Sequence, residues 1–277
     1  MATRIRANRN AIFTRLFGGS IAVAREYVAA FLIRCHVGPN VLTFLGLLST
    51  LTAAVLLARG GGDLIGCGTG ESFYAFAAAW MIILAASFDI LDGAVARNSR
   101  QISKLGGFLD SSLDRIADAA IFIGILIYYL NHPEKNHARL LAVLTVVALT
   151  NSELISYFKA RAENFIESCP VGYWQRGERI AGILIGLFCG HIGTVMVMLA
   201  VLPALTVLRR LIFAARQIHR LDKNLPLLDP AAPLTGIMRL ALWRYRRGTL
   251  PYDLVTAFNI CIILFVDVES ITMTGGL

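Results

Sequence analysis

Asp89-Ile-Leu-Asp92-Gly93-Ala-Val-Ala96-Arg97 and, after the polar run Asn98 to Leu105 (NSRQISKL), Gly106-Gly-Phe-Leu-Asp110-Ser-Ser-Leu-Asp114 decide how this chain reads. The two pieces lie where two long apolar segments meet, Phe73 to Arg97 and Gly106 to Leu130. Carboxylates at the ends of such segments are costly in a bilayer unless something neutralises them. Asp89 and Asp92 are three apart, and Asp110 and Asp114 four apart, so each pair shares one helix face. With the polar run as a turn, Asp89 lies about 12 Å down one arm and Asp114 about as far down the other. Four hard oxygen donors facing across such a hairpin suit magnesium or manganese. Gly93, Ala96 and Gly106 leave room for a ligand against the backbone, and Arg97 offers a fork for phosphate. The plain alternative is that the acids cap membrane helices and the glycines serve close packing. Four acids at paired helical spacing argue against it.

Composition sets the surroundings of this hairpin. Of 277 residues 56% are hydrophobic and 16% charged, which a soluble protein of this size would not show. The formal net charge of +8 then points to positive-inside flanks and anionic head groups or substrates, with no nucleic-acid partner expected. Cys35, Cys67, Cys169, Cys189 and Cys261 are scattered and odd in number, and read as reduced packing residues. The five histidines show no ligand spacing on one helix. The basic N-terminus has no signal-peptide core and is expected to stay attached.

Outward from the hairpin, residues 10–36 alternate apolar runs with Arg15, Arg25 and Arg34, the pattern of a helix lying in the membrane interface or of a soluble amphipathic helix. Gly38-Pro39-Asn40 breaks it, and Val41 to Ala58 forms the first span. Asn40 and Thr43 at its start suit ordinary helix capping. Further spans are Leu140 to Phe158, a short one from Ile180 to about Gly190, and Ile192 to Phe213. The expected fold is an all-α polytopic integral membrane protein with six transmembrane helices and an N-terminal interfacial amphipathic helix. Its parts are an N-terminal basic segment 1–36, a membrane domain 37–215 and a basic tail 216–277. In the tail, Leu234 to Arg247 reads as amphipathic and surface-bound, and Leu254 to Val266 as an interfacial or packed segment or a seventh span. Basic residues gather at alternate ends of the spans, so the hairpin mouth and both termini are expected on the cytoplasmic side of the inner membrane.

At the hairpin the chain resembles the CDP-alcohol phosphotransferases, whose signature D-x2-D-G-x2-A-R-x8-G-x3-D-x3-D it matches at every position and spacing. The resemblance implies two divalent ions, Mg2+ or Mn2+, held by Asp89, Asp92, Asp110 and Asp114 on the diphosphate of CDP-diacylglycerol. Asp114 would also be the base on the acceptor hydroxyl. Gly93, Ala96, Arg97 and Gly106 would line the CDP pocket, with Asn40 and Thr43 beside the nucleotide. A homodimer among membrane lipids is implied as well.

Lys159, Arg161, Arg176, Arg179 and Arg210 stand near the same mouth, more cations than one metal-bound diphosphate requires. A second anionic group such as an acceptor phosphate would account for them, and so would positive-inside flanking charge. Ser156-Tyr-Phe-Lys159-Ala-Arg161-Ala-Glu163, Arg176-Gly-Glu178-Arg179 and Leu113-Asp114-Arg115-Ile-Ala-Asp118 resemble segments of bacterial phosphatidylinositol-phosphate synthases. That resemblance implies inositol 1-phosphate as the acceptor, its phosphate held by the lysine and arginines, with Arg209 and Arg216 competing with Arg210. Glycerol 3-phosphate, serine or another polar alcohol is the same-class alternative, and a non-catalytic transporter or scaffold the different-class one. The repeated halves and interrupted helices common in transporters are not evident.

Overall fold

The computed structural model describes residues 11–60, 70–101, 103–226, 245 and 249–270. Among these every regular element is a helix: α1 (Ala11–Arg34), α2 (Pro39–Arg59), α3 (Gly70–Asn98), α4 (Lys104–Asn131), α5 (Ala138–Ala162), α6 (Arg176–Cys189), α7 (Ile192–Asp222) and α8 (Leu250–Phe265). Four are long and apolar enough to cross a membrane, namely α2, Phe73–Asn98 of α3, α5 and α7. That is the make-up of a polytopic integral membrane protein. α4 has the length, but Asp110, Asp114, Arg115 and Asp118 load its first half with charge. α6 has 14 residues and starts at Arg176, a turn earlier than its apolar run suggests.

Helix ends are set by recurrent backbone geometry. α1 and α3 close with His36 and Arg100 at φ 57° and 56°, left-handed values where glycine is usual. In each the next residue bonds back five positions, Val37 to the Leu32 carbonyl and Gln101 to the Ala96 carbonyl, both at 3.0 Å. Pro39 opens α2, where its missing N–H costs nothing. Ser103 caps α4, accepting from the Gly106 N–H at 2.9 Å. The turn between α3 and α4 therefore falls on the polar run that the sequence marks.

The chain packs as two compact units, with α2, α3 and α4 contributing residues to both. The first draws on Met1–Thr50 and Ile83–Ile116. Its small core is Ala29, Leu42, Ala94 and Val95, with Leu32, Ile33, Val37, Phe88 and Leu91 against it. Glu26 of α1 accepts from Arg25 and, at 2.7 Å, from Asn98 at the end of α3. These donors hold its carboxyl below the usual range. Tyr27 and Phe31 stay exposed on α1.

The second unit draws on Leu51–Ile82 and Ala117–Leu277, and holds the main core, including Leu57, Ile125, Tyr128, Leu141, Ile183 and Leu199. Gly124 of α4 lies so close to α2 that a Cβ there would come within 2.4 Å of the Ala54 carbonyl oxygen. Asn151 of α5 donates to the Ala200 carbonyl of α7 at 2.7 Å, just ahead of Pro203, which removes one rung of that helix. α8 packs on α6 and α7, and its 16 residues are short of a straight span. The amphipathic stretch Leu234 to Arg247 lies outside the described residues apart from Tyr245.

Candidate active site

In the first unit, α3 and α4 bring three aspartates together. The carboxylate oxygens of Asp89, Asp110 and Asp114 lie within 4.8 Å of one another. Opposite ligands of one magnesium at ~2.1 Å stand ~4.2 Å apart, so this spread needs little side-chain adjustment to close on an ion. Three carboxylates so close repel one another, and a divalent cation is the partner that reverses the sign of that interaction. The donor set is hard oxygen throughout, which suits magnesium or manganese and not a softer metal.

Asp92 takes a different position. It is buried, and its Oδ2 accepts from the Thr43 hydroxyl at 2.8 Å; the same hydroxyl reaches the Pro39 carbonyl at 3.2 Å. Of the four acids expected around two metal ions, Asp89, Asp110 and Asp114 form this cluster, and Asp92 bonds Thr43 of α2 and lines the same cavity as Asp110.

Beside them opens a cavity of about 370 Å³. Asn40, Thr43, Asp92, Gly93, Ala96, Arg97, Gly106 and Asp110 all line it. Gly93 lets the Arg97 guanidinium lie over α3, since a Cβ at residue 93 would meet Arg97 Nη1 at 3.2 Å. Pro39, Gln101, Ser103 and Gly107 line the cavity too. Sequence reasoning did not select them. The cap position of Ser103, three residues before Gly106, is a signal that could have found it.

The second unit holds the other candidates. Asp118 is buried and receives two arginines, Arg176 Nε at 3.1 Å on Oδ1 and Arg179 Nη2 at 2.8 Å on Oδ2. Arg179 is buried as well and also reaches the Trp174 carbonyl at 3.4 Å. Arg210 is buried, donating through Nε to the Val171 carbonyl at 3.1 Å and through Nη1 to the Ile155 carbonyl. Lys159 and Arg161 are exposed, the latter stacked over Phe165. Among the five cations expected near an acceptor, Arg176, Arg179 and Arg210 therefore spend donors on the protein itself, and Lys159 and Arg161 are exposed. Cys169 sits nearby as a buried free thiol, and burial pushes its pKa up, away from reactivity.

The sequence profile of the CDP-alcohol phosphatidyltransferases matches residues 36–214. A phosphatidylinositol phosphate synthase from Mycobacterium tuberculosis is 33% identical over 159 residues, which is 57% of this chain and 66%, just under two thirds, of that relative. The crystal structure of the M. tuberculosis phosphatidylinositol phosphate synthase PgsA1 with CDP-DAG bound superposes with a TM-score of 0.60 at 30% identity, covering 69% of this chain and 92% of that one. The same enzyme in complex with manganese and citrate superposes with a TM-score of 0.60, covering 88% of its length.

Proposed function

Because the chain belongs to the CDP-alcohol phosphatidyltransferase family, we propose that it transfers the phosphatidyl group of CDP-diacylglycerol to inositol 1-phosphate and releases CMP. The observation that carries this reading is the convergence of Asp89, Asp110 and Asp114 beside a cavity lined by Asp92, Gly93 and Arg97. The acceptor is supported by the inositol phosphate synthases among its relatives and by the cations around Asp118.

In this reading Asp89, Asp92, Asp110 and Asp114 hold two divalent ions, which when bound supply positive charge to the diphosphate. Manganese in the PgsA1 structure supports that choice. Asn40, Thr43, Gly93, Ala96, Arg97 and Gly106 bind the CDP moiety. Asp114 takes the proton of the acceptor hydroxyl, whose oxygen forms a bond to the phosphorus nearest the lipid. The bond from that phosphorus to the bridging oxygen breaks, and CMP leaves with the electron pair. Lys159, Arg161, Arg176, Arg179 and Arg210 serve the acceptor phosphate, the buried pair by shaping the site and the outer three by direct attraction. Six helices, α2 to α7, span the inner membrane, within a membrane domain 37–215 flanked by the segments 1–36 and 216–277. The site and both termini face the cytoplasm, and the enzyme works as a homodimer.

The test is CMP release by purified protein with CDP-diacylglycerol and manganese, given inositol 1-phosphate, glycerol 3-phosphate or serine in separate reactions. Turnover is expected with inositol 1-phosphate. Turnover with another alcohol alone overturns the acceptor, and none with any alcohol favours a transporter or scaffold.

A further inference from the structure

Two of the arginines expected at the acceptor, Arg176 and Arg179, stand in the first turn of α6, a turn with little in its own sequence to hold it. Its cap residue, Gln175, makes no side-chain capping bond among the described residues, and Gly177 is its second residue. At 14 residues the helix is also marginal by itself. Such a start frays unless other elements hold it. On one side Asp118 of α4 does so, receiving Arg176 Nε and Arg179 Nη2. Arg179 is buried there, whereas the Arg176 side chain keeps 35% exposure, so an acceptor phosphate can reach it.

On another side α8 holds it, within the same compact unit. Glu178 lies between the two arginines, and the Tyr252 hydroxyl of α8 donates to its carboxylate across 74 positions of chain. One turn along α8, the Thr256 hydroxyl meets that of Tyr173, just ahead of α6, at 2.8 Å, and also donates to the Tyr252 carbonyl at 2.8 Å. The Tyr173 and Tyr252 rings pack with their centres 5.1 Å apart. Trp174 follows, its ring 5.3 Å from that of Tyr173 and its carbonyl accepting from Arg179 at 3.4 Å. Two hydroxyls four apart on one face of α8 thus grip both ends of the segment 173–178. α8 lies beyond the residues 36–214 that the family profile matches, so the shared domain does not supply these two hydroxyls.

An arginine that the fold has already ordered binds phosphate without losing side-chain freedom at the moment of binding. Glu178, tied to Tyr252, gives the first turn of α6 a fixed acid, which also suits the positive end of the helix dipole. We propose that Tyr252 is a positioning residue of the acceptor site: through Glu178 it fixes the first turn of α6, and so sets Arg176 and Arg179 where the acceptor phosphate binds. Tyr252 acts through these residues and takes no step in the transfer itself. The assignment rests on the proposed reading that these arginines serve the acceptor.

The test is steady-state kinetics of the full chain with CDP-diacylglycerol, manganese and inositol 1-phosphate. Tyr252→Phe keeps the ring and removes the hydroxyl. It should raise KM for inositol 1-phosphate about fivefold, the weight of one net hydrogen bond, and leave kcat and KM for CDP-diacylglycerol within about twofold. Thr256→Val removes the second tie, should act in the same sense, and decides alone if Tyr252→Phe does not fold. Thr194→Val loosens the far end of the same packing, where the Thr194 hydroxyl donates to the Val266 carbonyl at 2.7 Å, and should leave the acceptor KM within about twofold. Arg176→Ala tests the acceptor reading itself and should raise the acceptor KM at least as much as Tyr252→Phe does. An acceptor KM unchanged in Tyr252→Phe but raised in Arg176→Ala overturns the positioning role and leaves the acceptor reading standing. An equal rise in Thr194→Val, or an equal rise in both KM values, makes Tyr252 merely structural and overturns the role as well. No effect in Arg176→Ala, or no turnover with inositol 1-phosphate, overturns the acceptor reading and this assignment with it.

Discussion

The Thr43 hydroxyl, at the start of α2, donates to Asp92 Oδ2 on α3 at 2.8 Å, and so ties one signature aspartate to the neighbouring helix. The bond joins residues 49 positions apart, and it makes Thr43 a group that orients a carboxylate as well as one that lines the cavity.

Thr43→Val keeps the shape and removes the donor. Hydrogen bonds to charged groups contribute about 1.5–3 kcal/mol, so KM for CDP-diacylglycerol should rise about tenfold or more. KM for the acceptor should stay within about twofold, in the range of substitutions that touch no such bond. Steady-state kinetics with each substrate varied in turn checks this, and an equal rise in both constants would sink the orienting role.

Asp114→Asn keeps the volume of the side chain and removes its basicity. Loss of a general base costs roughly 10²–10⁴ in rate, so CMP release should fall at least about a hundredfold while CDP-lipid still binds. Retained turnover in a folded variant would refute the assignment of the base.

Asp118→Asn leaves Arg179 buried without its counter-charge. Breaking such a pair by removing one partner costs about 3–5 kcal/mol, and a marked drop in melting temperature is expected. Lys159→Ala, at an exposed position, should leave the melt unchanged and raise KM for inositol 1-phosphate alone. Thermal melts run beside acceptor kinetics separate the two roles.

Gly124→Ala forces a methyl into the Ala54 backbone, where the atoms cannot give way, and should destabilise by about 1–3 kcal/mol. Gly107→Ala, where a Cβ meets nothing within 4 Å, should be neutral or slightly stabilising through helix propensity. Denaturation in a mild detergent distinguishes them.

Glu269 anchors the segment that follows α8. It accepts from the Tyr129 hydroxyl at 2.7 Å, and the Val268 N–H bonds Thr194 Oγ1 at 3.1 Å. Burial raises the Glu269 pKa against the opposing pull of the Tyr129 hydrogen bond and Lys135, and Asp267 adds to the rise. A carboxyl raised on folding contributes stability that is complete below its ordinary pKa and is lost as pH rises through the folded value. Amide-exchange protection of residues 266–270, corrected for intrinsic rates, should therefore weaken as pH climbs above the usual carboxylate range. Glu269→Gln should flatten that dependence, and an unaltered profile in the variant would exclude Glu269 as its source.

Much of the architecture is legible in the residues themselves. Apolar length marks α2, α3, α5 and α7, and the polar run after Arg97 marks the turn on which the aspartate hairpin is built. The helix ends are less legible. Gly190 announces the close of α6, but His36 and Arg100 adopt the same left-handed turn without a glycine to signal it. Ser103 caps α4 from inside a run that reads only as polar.

What the chain determines alone is whatever depends on neighbours in sequence: helical spacing puts Asp110 and Asp114 on one face, and the cost of charge near lipid demands a partner for them. Tertiary structure decides the rest. It selects Asp89, Asp110 and Asp114 as the converging trio and turns Asp92 to Thr43. It also buries Arg179 against Asp118, 61 residues away, and Arg210 against Ile155, 55 away. The reason is physical: a charged side chain in an apolar setting goes to whichever partner packing brings within about 3 Å, and such partners lie on other helices, beyond the reach of any local pattern.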